Sequence, residues 1–193
     1  MRDQDVIIVG GGSAGATLAG ELSADPQVSV LLIEAGQRDT SPWIHIPATF
    51  FKIMHRGRDA TLIEGEPEDQ LAGRPFVIPQ GRVLGGGSSV NAMLYVRGQP
   101  QDYDSWDAAG ASGWGWDRVL PVFRRLEGND TFDDAYHGTD GPLGVSAPRF
   151  RHPLSEAFVA AGAQAHIRPN ADFNGARQDG IGFFQTTTRD GRR

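Results

Sequence analysis

The chain has 193 residues, and 18 basic against 24 acidic side chains leave a net charge of −6, which disfavours a nucleic-acid partner because tracking phosphates needs a basic excess. A hydrophobic share of 39% with 22% charged residues suits a globular domain, and no apolar run approaches the roughly 18 residues of a membrane span. Cysteine is absent, so disulfides, thiolate metal sites and cysteine nucleophiles are excluded.

In chain order, no charged segment followed by an apolar core precedes Asp5, so the domain is expected to start at once and to be cytoplasmic. Val6 to Val9 is a short β-branched run that reads as a strand buried on both faces of a parallel sheet. Gly10-Gly-Gly-Ser-Ala-Gly15 follows, and from Ala14 the pattern turns helical, with Leu18 and Leu22 four apart, until Asp25-Pro26 stops it. Val28 to Ile33 then reads as a second buried strand ending in Glu34. The whole is a βαβ unit.

Gly10, Gly12 and Gly15 lie between a strand and a helix, with an acid 24 positions after the first glycine, the context in which G-x-G-x-x-G signals a dinucleotide. Gly10 permits the turn, Gly12 lets a pyrophosphate approach the backbone, and Gly15 lets the helix pack on the strand. The amides at the helix start, around Ser13 and Ala14, would hold the diphosphate. Glu34, followed by Ala35, would accept hydrogen bonds from ribose hydroxyls and repel a 2′-phosphate, so FAD or NAD is expected rather than NADP. This part of the sequence does not choose between those two.

Glycine and proline together (26 and 12 residues) far exceed the roughly 12% of an average protein. A second cluster, Gly85-Gly86-Gly87, stands in the segment Gly81-Arg-Val-Leu-Gly-Gly-Gly-Ser-Ser-Val-Asn-Ala-Met-Leu-Tyr-Val-Arg-Gly98. With Glu34-Ala35-Gly36 before it and Asp102-Tyr-Asp-Ser-Trp106 after it, this segment closely resembles the glucose–methanol–choline (GMC) oxidoreductases, FAD-dependent alcohol oxidases and dehydrogenases, of choline dehydrogenase-like type. Trp114 to Glu127, Tyr136-His-Gly138, Gly141-Pro-Leu143 and Asp172-Phe-Asn-Gly175 through Asp190-Gly-Arg192 also look like family landmarks in family order.

The resemblance implies an α/β fold: a Rossmann-type FAD-binding region over 1–140, with a βαβ start and a parallel sheet, then the beginning of an α+β substrate domain over 141–193. It implies that Arg82, Val83, Gly86 and Ser88 line the cofactor and that Asn91, Ala92, Met93 and Leu94 pass the flavin ring. A short helix after Gly85 to Ser89 would aim amides at the flavin. Some members attach FAD through a His just before the signature Asn; here that residue is Val90, so noncovalent FAD is expected. The implied reaction oxidises a small-molecule alcohol to a carbonyl by hydride transfer to flavin N5, with an FAD-containing hydroxynitrile lyase of the same family as the alternative. No residue selects the alcohol or the electron acceptor. The family's catalytic His is expected beyond Arg193, so the chain reads as truncated and inactive by itself.

Two departures stand out: Asp59 to Glu66 lacks an aromatic residue common in relatives, and Pro79-Gln80-Gly81 replaces a more usual basic residue before glycine. The histidines, His45, His55, His137, His152 and His166, show no metal-ligand spacing, so no metal is expected, and His137 before Gly138 reads as a structural hydrogen-bonding residue. Ser88 and Ser89 lack the G-x-S-x-G elbow of a hydrolase. Residues 104–108 and 117–127 read as packing helices, the second capped by Asp117 with Pro121 in its first turn. Trp114 and Trp116 are expected to anchor. Residues 153–161 read as a helix burying Leu154, Phe158 and Ala161.

Overall fold

The computed structural model describes residues 3–54 and 57–193; His55 lies outside them. By its internal contacts the chain divides into a first unit that runs to Ala92 and includes Arg192–Arg193, and a second unit, Met93–Gly191. The border expected at 140/141 falls inside the second unit, where a parallel pair of short strands ties the residues on its two sides together.

In the first unit, β1 (Val6–Val9), α1 (Ser13–Ser23) and β2 (Val30–Ile33) form the βαβ unit, with Val6 opposite Val30 and Val9 opposite Ile33 in parallel register. The expected burial on both strand faces does not hold. Ile8 is buried, whereas Ile7, Val9, Leu31 and Ile33 are exposed, because strand side chains alternate and the two-stranded sheet carries α1 on one side. The short helices α2 (Pro42–His45) and α3 (Phe50–Met54) follow. Next comes an antiparallel hairpin of β3 (Ala60–Glu68) and β4 (Arg74–Gly81), whose pairing slips between Glu64 and Pro67. Among the described residues, Ile44, Ile53, Val83 and Val90 form a buried apolar cluster in this unit, with Trp43 against them.

The second unit contains α4 (Pro100–Ala108), α5 (Trp116–Leu126), the strands β5 (Glu127–Asn129) and β6 (Leu143–Val145), and α6 (Pro153–Gln164). α4 begins with Pro100 and a capping box in which the Gln99 amide donates to Asp102 at 2.7 Å. α5 begins one residue earlier than expected. Gly115 is its N-cap and Pro121 lies inside the helix rather than in its first turn, so one interior hydrogen bond is absent. Tyr103 packs on Trp106, Trp116 and Phe123 with ring centroids 5.2, 5.5 and 5.6 Å away, contacts worth about 0.5–1.5 kcal/mol each beyond burial; Trp114 meets Trp106 edge to face. α6 corrects the expected inner face, since Leu154 and Phe158 are exposed and Gly162 is the buried residue. A Cβ at Gly162 would stand 2.3 Å from Ile181 Cδ1, so that side chain takes the place an inward helix residue would fill.

Candidate functional site

The first glycine cluster has the geometry its spacing predicts. Gly10 sits at φ +99°, a conformation that favours glycine, and its amide donates to Ile33 O at 2.7 Å. A Cβ on Gly15 would lie 1.9 Å from Gly10 O, so only glycine lets α1 start this close to β1. Gly12 is the N-cap of α1 and makes no side-chain cap bond, and the first turn holds no acidic residue. The first-turn amides of Ser13, Ala14 and Gly15 therefore face outward at the positive end of the helix, as an anion requires. Glu34 has a task within the fold itself: its carboxylate accepts the Gly11 amide at 2.6 Å and the Gly36 amide at 2.8 Å. It braces the glycine turn, and each oxygen keeps lone-pair capacity for a hydroxyl.

The second cluster meets the first through backbone alone. The Gly85 amide donates to Gly11 O at 2.7 Å. A Cβ on Gly86, at φ +54°, would come 2.8 Å from Gly12 Cα, and one on Gly81 would come 2.2 Å from Gly86 O. Gly86–Ser89 forms a 3-10 turn, and the short helix expected after Ser89 is not there. Ser88 and Ser89 turn their hydroxyls back onto Gly85 O and Leu84 O. Beside the junction lies a cavity of about 490 Å³ whose walls include Gly10, Glu34, Ala35 and Arg82, within the range of small-molecule sites.

The other expected residues divide. Val83 has no exposed surface and packs in the core with Val90, so it presents neither side chain nor backbone to a ligand. Asn91 and Ala92 belong to the first unit; Met93 and Leu94 belong to the second. Met93 is buried at φ +63° and Leu94 is exposed.

The second unit holds a buried polar ring that sequence spacing does not reveal. His137, with no exposed surface, places Nδ1 3.0 Å from Glu127 and Nε2 3.1 Å from Asp172. Glu127 also takes Arg97 Nη2 at 2.6 Å and Asn129 Nδ2 at 2.9 Å. Asp172 accepts the Asn174 amide, and Asn174 in turn clamps Tyr95 O and the Arg97 amide at 3.0 and 2.7 Å.

Burial pulls the imidazolium of His137 toward neutrality, but the hydrogen bonds to Asp172 and Glu127 and their charges outweigh it and raise its pKa from 6.5 to about 9. Burial pushes both carboxyl groups up, yet His137 and the surrounding donors hold Glu127 and Asp172 below their ordinary values. Asp134, His137 and Asp172 bring possible ligand atoms within 4.8 Å of one another, but an imidazolium donating from both nitrogens has no lone pair for a cation. Sequence reading marked His137 and the Asp172 to Gly175 stretch separately; their pairing across 35 residues left no local signal.

A family model described as GMC oxidoreductase matches residues 4–193. The chain belongs to the GMC oxidoreductase family. Among the relatives of this GMC chain are the alcohol dehydrogenase [acceptor] of Pseudomonas putida, 48% identical over 190 residues, and the oxygen-dependent choline dehydrogenase of Sinorhizobium fredii (strain NBRC 101917 / NGR234), 44% identical over 189 residues. Each alignment covers 98% of this chain and 34% of the relative, so the chain spans about a third of the length of the curated relatives it matches. Similar solved structures include pyridoxine 4-oxidase from Mesorbium loti, with TM-score 0.93, 39% identity and coverage of 99% of this chain and 38% of that one. A FAD-dependent oxidoreductase from Chaetomium thermophilum has TM-score 0.88 and 32% identity, with coverage of 97% and 34%. The GMC fold expected from the signature is therefore present, and the relatives support a flavin-dependent oxidoreductase family. Among the described residues no helix is long and apolar enough to cross a membrane.

Proposed function

We propose that this chain is the FAD-holding N-terminal portion of an enzyme that oxidises a small-molecule alcohol to a carbonyl compound. The observation that carries the reading is the glycine junction: Gly85 bonded to Gly11, Gly86 against Gly12, and Glu34 bracing the turn. A Cβ on Gly86 would fill that junction, as expected of a backbone cradle shaped for a pyrophosphate. Bound FAD would supply a hydride acceptor. The amides of Ser13 to Gly15 would hold the diphosphate, Glu34 would take the ribose hydroxyls, Arg82, Gly86 and Ser88 would line the cofactor, and Asn91 to Leu94 would pass the ring. Binding is noncovalent, because Val90 is an apolar core residue and offers no attachment atom.

The proton acceptor for the alcohol is not His137, which is buried and protonated at neutral pH. We expect residues 1–193 alone to be inert toward alcohols. The full-length protein should be yellow and release its FAD on acid denaturation. Glu34→Ala should weaken FAD by about 10- to 150-fold, the value of hydrogen bonds to a charged group. Flavin that stays on the denatured polypeptide, or unchanged affinity in Glu34→Ala by titration, would overturn the reading.

A further inference from the structure

We propose that Arg193 is a positioning residue for the Ser88 to Asn91 segment beside the cofactor, an inference that rests on the FAD reading. Its Nε donates to Ile44 O at 3.1 Å. Nη1 donates to Ser88 O at 2.7 Å and to Asn91 Oδ1 at 2.9 Å, and Nη2 donates to Asn91 O at 2.6 Å. Four of the five N–H groups of a guanidinium are thus spent on one patch, and the Arg193 amide adds a bond to His45 O. These contacts bring a residue about a hundred positions downstream into the first compact unit.

Two of the carbonyls that Arg193 takes, Ser88 O and Asn91 O, lie at and just past the end of the Gly86–Ser89 turn, where helical geometry leaves acceptors without partners. Ser88 is held from both sides, its hydroxyl on Gly85 O and its carbonyl on Arg193. Asn91 is held by its backbone and side-chain oxygens together. A planar fork can span Ile44 O, Ser88 O and Asn91 O at once; an ammonium, a single point of charge on a flexible stem, cannot. Arg193 therefore sets the path of Ser88 to Asn91 as the chain leaves the second glycine cluster, and with it the wall that this segment presents to the flavin ring.

The test uses the full-length protein and its Arg193→Ala, Arg193→Gln and Arg193→Lys variants, loaded with FAD. Affinity is read by fluorescence titration, the flavin environment by visible circular dichroism and midpoint potential, and folding by thermal unfolding. Arg193→Ala should weaken FAD by about tenfold or more and change the dichroism and potential of the flavin that still binds. Arg193→Lys should recover part of the affinity without recovering the dichroism. If Arg193→Ala does not fold, Arg193→Gln and Arg193→Lys are judged by the same readouts. Wild-type flavin dichroism and potential in the folded variants would overturn the proposal, including the case in which only the melting temperature falls, since Arg193 would then be merely structural. A wild-type protein that takes up no FAD would instead overturn the cofactor reading and this inference with it.

Discussion

The first unit is organised by backbone approaching backbone, the second by charged side chains approaching each other. At the glycine junction the decisive contacts are Gly15 on Gly10, Gly86 on Gly12 and Gly81 on Gly86, and the unit's apolar cluster has four buried members among the described residues. In the second unit Glu127, His137, Arg97, Asn129, Asn174 and Gln185 are all buried and linked by hydrogen bonds. Isolated buried charges are costly, whereas a closed set in which each group has partners is tolerated and is hard to rearrange. A backbone cradle fails when a Cβ is added; a polar ring fails when a partner or a proton is removed. The two regions should therefore respond to opposite kinds of perturbation.

The largest expected effect breaks the ring. Glu127→Ala leaves Arg97 and His137 as buried cations without their shared carboxylate, at about 3–5 kcal/mol, measured by urea unfolding. Glu127→Gln, which keeps the shape and one acceptor, should cost less. Equal losses in the two variants would show that packing rather than charge organises this unit.

Next comes pH. His137 has its pKa raised to about 9 in the folded chain from an ordinary 6.5, so its contribution is complete below about 6.5 and disappears as pH rises through 9. A shift of that size corresponds to stability on the order of 3 kcal/mol. Glu127 and Asp172 are held below their ordinary values of 4.5 and 3.8, so the stability they contribute is present above those values and is lost as pH falls through their depressed ones. The unfolding midpoint should therefore be highest between these limits and fall on both sides. An alkaline limb that is unchanged in His137→Gln would refute the assignment.

The smallest effect on the fold, and the sharpest contrast within the cradle, comes from two alanines. Gly15→Ala drives a methyl into Gly10 O and should destabilise by about 1–3 kcal/mol. Gly12→Ala meets nothing nearer than Gly86 Cα at 3.9 Å, so stability should change by no more than about 1 kcal/mol, while FAD affinity falls about 5- to 150-fold as the methyl meets the diphosphate. Unfolding curves and FAD titrations of the same two proteins separate a glycine kept for packing from one kept for a ligand. Parallel losses in both would dissolve the distinction.

Much of this was legible in the chain itself. The βαβ unit, the roles of Gly10 and Gly15 and the family follow from local order, because a turn, a helix start and a strand end are set by neighbours in sequence. The missing short helix after Ser89 was not legible, since Ser88 O and Asn91 O are taken by Arg193, about a hundred residues away in sequence. The exposed faces of β1, β2 and α6 were likewise misjudged, because an apolar pattern says that a face is fit for burial and not what covers it. The bracing of Gly11 by Glu34, the pairing of His137 with Asp172 and the grip of Arg193 on Asn91 join residues 23 to 102 positions apart. Sequence determined which groups were available for such contacts. Only the tertiary structure decided which met, because a hydrogen bond or ion pair depends on distances of about 3 Å that the path of the chain, and no local propensity, brings about.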